Sequence, residues 1–226
     1  MLTVTSARRR VASLSGMARV PPARTVSVVI PALAEEQAIA GAVRNAFAAG
    51  ADEVVVADGG STDRTMAEAR SAGATAPRGR GTQLNAGAAA ASGDVLCFLH
   101  AAVRLAFGGI DAIRTALDDP AVAGGNFHVQ FGAALHGRFL AAFYHVIRRL
   151  GVYCGDSTLF CCREAFESVG GFPPFPIMED LKFVNLLRHR GRMAYLDSRV
   201  AASPRRWEHG GIPQVWASWL VIQSLY

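Results

Sequence analysis

The sequence predicts an α/β fold: a mostly parallel sheet with helices on both faces, followed by a mixed C-terminal half. Two observations carry this expectation. Buried-strand runs alternate with helix-period segments over residues 25–100, and the links between them are short. A third is size, since 226 residues of which 51% are hydrophobic suffice for one well-filled core.

"TVSVVIPAL" is a β-branched run closed by Pro31, as expected of a buried parallel strand. "EEQAIAGAVRNAFAAG" places Ile39, Val43, Ala46 and Phe47 at helical spacing, with acids in its first turn and Gly50 as its stop. "DEVVVADGG" reads as a second buried strand. "STDRTMAEARSAG" follows as a second helix, with Ser61 as N-cap and Gly73 past its end. "RGRGTQLNAGAAAASG" reads as a loop and a small-residue helix, and "DVLCFLH" as a third core strand. Right-handed crossovers then put the three strands parallel, with ligands beyond their carboxyl ends. That marks the loop after Ile30, the Asp58 turn and the strand end at His100.

The second half reads differently. "AVAGGNFHVQF" is a strand, "ALHGRFLAAFYHVIRRLG" a long helix, and "STLFCCREAFESVGGF" a strand with a short helix. "EDLKFVNLLRHRG" is a helix opening on two acids, and "MAYLDSRVAASPRRWE" supplies late strands. This half is expected to furnish an acceptor pocket. The whole reads as residues 1–24, a basic disordered extension, and one domain over 25–226 with halves at 25–107 and 108–226; Met17 is an alternative start to Met1.

The formal charge of +5 and pI near 9.4 belong to the tail. Without the five arginines of residues 1–24, 18 basic groups face 18 acidic ones, which argues against a nucleic-acid footprint. The tail lacks the apolar core of a secretory signal. Four cysteines form no Cys-x-x-Cys pair, so reduced thiols in a cytoplasmic protein are the default reading. Cys161 and Cys162 are expected on opposite faces of a strand. No uncharged apolar run is long enough for a membrane span. The apolar end "GGIPQVWASWLVIQSLY" could dock on the body or, peripherally, on a lipid surface, and its stop at Tyr226 without a helix-stop signal suggests a truncated tail.

Several residues invite chemistry. Asp58, followed by Gly59 and Gly60, either accepts hydrogen bonds from a ligand or caps the next helix. Glu179 and Asp180 follow "GGFPPFPIM" and are either dipole partners of their helix or a rigidly held general base. Asp156 in "YCGDSTLF" is an acceptor contact or a simple turn residue. Arg205 and Arg206 beside Trp207 could hold a diphosphate or form an exposed basic pair. The six histidines show no metal-ligand spacing, and His209 alone reads more readily as a surface residue. The first strand is followed by "PALAEE", not by Gly-x-Gly-x-x-Gly, which disfavours nicotinamide and flavin cofactors and a methyltransferase.

Taken in order, "VSVVIPALAEEQAI", "VVVADGGSTDRT", "RGRGTQLNAGAAAASGDVLCFLHAA", "GDSTLFCCREAFESVGGFPPFPIMEDLKFVNLLRHRG" and "SPRRWEHGG" resemble a family-2 inverting glycosyltransferase of the GT-A fold. The resemblance is to the small bacterial branch with "LHAD" at its third strand, and it covers residues 26 to about 211. It implies a nucleotide-diphosphate sugar donor and a single in-line displacement onto a small or lipid-linked acceptor. By position, Pro31 and Glu35 would border the nucleotide, Asp58 would bind base or ribose, and Arg80 and Asn85 would lie along the donor cleft. Asp180 would take the acceptor proton, with Glu179 beside it.

Two departures stand out. Ala34 replaces the Asn of the usual "NEE", and "LHAD" has become "LHAA", with Ala102 in the place of the metal-binding acid. Mg²⁺ and Mn²⁺ prefer oxygen ligands, which a methyl group does not supply. The expectation is therefore a weak or absent divalent metal, with His100 and His209 as the remaining candidates and Arg205 and Arg206 as electrostatic substitutes. A nucleotide-sugar-binding protein without turnover, acting through a partner, is the alternative.

Overall fold

The computed structural model describes residues 23–75, 83–132, 135–149, 157–175 and 178–202. Among the described residues, seven strands and seven helices follow one another as β1 (Val26–Ala32), α1 (Ile39–Ala48), β2 (Glu53–Asp58), α2 (Thr65–Ser71), α3 (Gln83–Ala90), β3 (Val95–Phe98) and β4 (Val103–Leu105). Then come α4 (Gly109–Leu117), β5 (Val122–Gln130), α5 (Leu135–Arg149), β6 (Leu159–Cys162), α6 (Arg163–Ser168), α7 (Glu179–Arg188) and β7 (Arg192–Ala202).

One sheet holds all seven described strands in the order β2-β1-β3-β6-β5-β7-β4. β1 runs parallel to β2 and β3, and β5 parallel to β7. β6 is antiparallel to both β3 and β5, and β4 to β7. The carboxyl ends of β1, β2, β3, β5 and β7 therefore share one rim with the start of β6. The parallel β1-β2-β3 group and the mixed remainder agree with the predicted fold class, but β4, within the 25–107 half, pairs antiparallel with β7 at the far edge.

Strand alternation sorts side chains into two cores. Val26, Val28 and Ile30 of β1 pack with Val54 and Val56 of β2 and with Ile39 and Val43 of α1. Val29, Val55, Leu96 and Phe98 point the other way, to α3, α6 and α7. Cys161 lies in this second core and Cys162 packs against the first, so the two thiols do face opposite sides. Burial pushes the Cys97 thiol up to about 12.

The centre of the second core is aromatic. Phe172 stacks on Phe183 with centroids 4.1 Å apart, and Phe98 meets Phe172 edge-on at 4.8 Å. These three rings join β3, the loop after α6 and α7 into one block, each burying area worth roughly 1.5–3 kcal/mol.

Three local expectations need correcting. Glu35 and Glu36 precede α1 and do not sit in its first turn, because the chain spends residues 35–39 on a turn in which Ala38 N–H and Ile39 N–H donate to the Glu35 carbonyl. Ser61 does not cap α2: the helix starts four residues later, and Ser61 turns back to Asp58. Of the expected late strands the described residues form one, β7, of 11 residues; residues 203–208 lie outside the described residues. The sequence reading also passed over β4, only three residues long, and α4, whose Ile110, Ile113 and Leu117 do carry helical spacing.

Candidate active site

The first wall of the site is a pair of loops tied together. Asp58, 1% exposed at the end of β2, accepts from Ser61 N–H at 3.0 Å and from the Ser61 hydroxyl. Ser61 Oγ in turn accepts Ala34 N–H at 3.0 Å, and Thr65 Oγ1 accepts Glu35 N–H at 2.8 Å. Asp58 thus fixes the loop after β1 through one serine, whatever else it binds. Ala34 pays for that geometry with a φ of +54°, in the left-handed region where an alanine is strained and an asparagine is tolerated.

A residue the sequence reading did not single out closes the junction. Gln83, at the start of α3, donates from Nε2 to the Ala32 carbonyl at 2.8 Å and to the Ala57 carbonyl at 3.3 Å. A Cβ on Gly59 would lie 2.5 Å from that nitrogen, so the glycine after Asp58 is there for close approach. The signal available in the sequence was position alone: a polar residue opening an otherwise small-residue helix beside two strand ends.

Asn85 uses both ends of its amide on one backbone. Its Nδ2 donates to the Phe172 carbonyl, and its Oδ1 accepts Phe172 N–H, each at 2.8 Å. Gly171, with φ +74°, sits so close that a Cβ would stand 2.7 Å from Asn85 Oδ1. Asn85 is therefore a positioning residue for the loop leading to α7.

β3 delivers the second wall. The chain leaves Phe98 through buried Leu99 to half-buried His100, then turns, with Val103 N–H donating to the His100 carbonyl at 2.9 Å. Ala102 is exposed within that turn and ends in a methyl group. Arg104 fastens the turn from below, donating to the Ala101 carbonyl at 2.7 Å and to the Ala38 carbonyl at 3.3 Å.

Opposite stands the start of α7. Met178 precedes it with φ +66°, a second strained residue on the rim. Glu179 and Asp180 are half-buried, and Asp180 Oδ1 accepts Leu181 N–H at 2.7 Å. Burial holds the Glu179 carboxyl above the usual range, and the Asp180 charge adds to this. Its own backbone N–H and the charge of His100 pull the other way. The Phe98–Phe172–Phe183 block links β3 to α7 beneath this rim. Thr158, at the entry to β6 on the same rim, is fully buried with φ +55°, and its Oγ1 has no hydrogen-bond partner.

Pro31 and Glu35 are partly exposed at the mouth of β1. Arg80, Asp156, Arg205, Arg206, Trp207 and His209 lie outside the described residues, as do residues 1–22 and the apolar C-terminal stretch. Among the described residues no group of three His, Cys, Asp or Glu side chains is disposed to hold a metal ion. His100, Glu179 and Asp180 offer one nitrogen and two carboxylates, fewer oxygens than a hard cation takes, so these residues do not by themselves fit a protein-held divalent metal. No described helix is long and apolar enough to cross a membrane.

A seven-stranded mixed sheet with its polar residues gathered at the rim of a parallel β1-β2-β3 half defines an α/β protein of the GT-A glycosyltransferase class. The sequence itself matches the model of Glycosyl transferase family 2 over residues 27–149, more than half of its length, and the chain belongs to that family. Nucleotide-sugar-dependent glycosyl transfer is accordingly its class of chemistry.

Solved structures agree on the fold. Glucosyl-3-phosphoglycerate synthase from Mycobacterium tuberculosis, bound to Mn²⁺, UDP-glucose and phosphoglyceric acid, superposes with a TM-score of 0.58 at 22% identity. The match covers 79% of this chain and 72% of that one. A mannosyltransferase from Pyrobaculum calidifontis, bound to GDP-mannose and Mn²⁺, gives 0.61 at 20% identity, covering 79% of this chain and 56% of that one. No curated protein matches the sequence.

Proposed function

We propose that this protein transfers a sugar from a nucleotide diphosphate to a hydroxyl of a small or lipid-linked acceptor, with inversion, and that it is a cytoplasmic member of the small branch whose third strand usually ends "LHAD". The observation that carries the reading is the pair Glu179-Asp180 at the head of α7, the helix that Phe183 packs against Phe98 of β3. Asp180 acts as general base. The acceptor oxygen attacks the anomeric carbon, the bond from that carbon to the diphosphate oxygen breaks, and the acceptor proton passes to the Asp180 carboxylate. Burial and the Asp180 charge raise the Glu179 carboxyl beside it. Pro31, Glu35 and the Asp58–Ser61 turn border the nucleotide, with Arg80 beside it, while Asp156 faces the acceptor. Arg205 and Arg206, next to Trp207, offset charge on the departing diphosphate, since the described residues do not fit a metal.

UDP-glucose and GDP-mannose, the donors seen in the two structural neighbours, are the first probes. Release of UDP or GDP with and without Mn²⁺ tests turnover, and calorimetry tests binding. Asp180→Asn is expected to lower turnover about 10²- to 10⁴-fold with donor affinity kept. Ala102→Asp is expected to raise it and make it Mn²⁺-dependent. Full activity in Asp180→Asn would overturn the assignment of the base.

Ala102 also favours a second reading, a nucleotide-sugar-binding protein without turnover. Donor binding with no transfer or hydrolysis under either condition would decide for it.

A further inference from the structure

The turn that follows β3 is held by parts of the chain far from β3. Residues 99–102 link β3 directly to β4, yet β4 lies at the edge of the sheet beyond β7, its one strand partner among the described residues. The outgoing end of the turn is fixed instead by α1. Asn45 of that helix uses both ends of its amide on Leu105: Nδ2 donates to the carbonyl at 3.0 Å, and Oδ1 accepts the N–H at 2.8 Å. One residue earlier, Arg104 donates through one guanidinium nitrogen to the Ala101 and Val103 carbonyls, at 2.7 Å and 2.9 Å. Through the other it donates to the Ala38 carbonyl at 3.3 Å.

Ala38 ends the loop after β1. It stands just before α1, and its own N–H donates to the Glu35 carbonyl at 3.0 Å. One side chain therefore joins the turn that holds Ala102 to the loop that holds Ala34 and Glu35.

The partners of Arg104 are all main-chain carbonyls. Burial lowers the guanidinium from its ordinary value, and no carboxylate of the described residues pairs with it. The planar fork meets carbonyls of two segments in fixed directions, which the single ammonium of a lysine does not reproduce. Gly41, the third residue of α1, makes room for it: a Cβ there would stand 3.1 Å from the nitrogen that reaches Ala38.

We propose that Arg104 is a positioning residue for donor binding, clamping the turn at Ala102 to the entry of α1 so that both rim segments meet the nucleotide diphosphate as one edge. This rests on the nucleotide-sugar reading of the rim. A donor that bridges the two segments binds only molecules in which both are in place, so affinity falls with the fraction of molecules still aligned.

The test combines calorimetry of the full chain, with UDP-glucose and GDP-mannose as probes, and amide hydrogen exchange. Arg104→Met keeps the stem and removes the fork. It is expected to weaken donor binding about tenfold, as if about one molecule in ten stayed aligned. Exchange should quicken at Val103 and at Ala38 and Ile39 together, with the β1–β2 amides still protected. Arg104→Lys should recover part of the affinity. In turnover, the loss should fall on KM for the donor, with kcat changed less than about threefold.

Gly41→Ala separates position from stability. Alanine suits a helix better than glycine, so Tm should rise. The added methyl displaces the guanidinium from Ala38, so donor affinity should fall about two- to threefold. In the Arg104→Met background the same methyl should leave affinity unchanged. Donor affinity that does not fall in Gly41→Ala, or that Arg104→Met leaves intact, overturns the role of Arg104; so does exchange that quickens at Val103 but not at Ala38. A parent chain that binds neither probe overturns the nucleotide-sugar reading and the donor role together, an outcome told apart because the coupled exchange needs no donor.

Discussion

Gly59→Ala isolates the junction that holds the first two strand ends together. A methyl at this position would meet Gln83 Nε2 at 2.5 Å and the Ala32 carbonyl oxygen at 3.6 Å, so the glutamine amide is what must move. In moving, it gives up its bonds to the Ala32 and Ala57 carbonyls, at 2.8 Å and 3.3 Å. Each is worth about 0.5–1.5 kcal/mol net, so the substitution should cost about 1–3 kcal/mol in urea unfolding. Gln83→Ala forfeits the same two bonds and should cost a similar amount. It also clears the space, so adding Gly59→Ala to that background should cost less than about 0.5 kcal/mol. The cycle would then show a coupling of about 1–2 kcal/mol between two residues 24 positions apart in the sequence. Costs that simply add, within about 0.5 kcal/mol, would refute the close-approach explanation of this glycine.

Two further outcomes follow from the rim. Ala34→Asn replaces an alanine held at φ +54° by a residue that tolerates that region, and should raise stability by about 0.5–1 kcal/mol, read as an increase in Tm; an unchanged or lower Tm would show that the backbone is not strained there. Glu179 has its carboxyl raised above 4.5 by burial and by Asp180, so the folded state holds its proton more tightly than the unfolded chain does. Its contribution is therefore present at low pH and is lost as pH rises through the window between the unfolded and the folded value. Glu179→Gln should flatten the stability profile in that window and be at least as stable as the parent at neutral pH, whereas an unaltered profile would remove burial as the cause.

What could be read from the sequence follows how local each signal is. β1, β2 and β3 announce themselves as β-branched or apolar runs, because strands buried on both faces must be continuous in hydrophobicity. Glycines past α1 and α2 mark the helix ends, and Gly50 and Gly73 do take positive φ. Ser61 misled for a physical reason. A serine followed by Thr-Asp-Arg has the composition of an N-cap, but the Asp58 carboxylate three residues earlier competes for its hydroxyl and its N–H, and wins. Asn85 was marked for the donor cleft by position, yet its amide is taken by Phe172, 87 residues on, a partner that no local pattern names. Gln83 was missed on the same ground, since its pairing with Ala32 exists only once the sheet has formed.

The aromatic block explains why the candidate base stands where it does. Phe183 follows Glu179 by one helical turn and is fully buried, stacked on Phe172 and facing Phe98, so the orientation of α7 is set by a ring that must go inward. Phe98 in turn lies two residues before His100. The placement of the head of α7 relative to β3 is then a consequence of hydrophobic packing. It also bears on the missing acid. A carboxylate at position 102 would add a negative charge to a rim where burial and Asp180 already raise the Glu179 carboxyl. With alanine in that place the rim carries one charge fewer. The loss of a metal ligand and the tolerance of two adjacent carboxylates at the head of α7 are in this sense one electrostatic arrangement. Restoring the acid without supplying Mn²⁺ should therefore push the Glu179 carboxyl higher still.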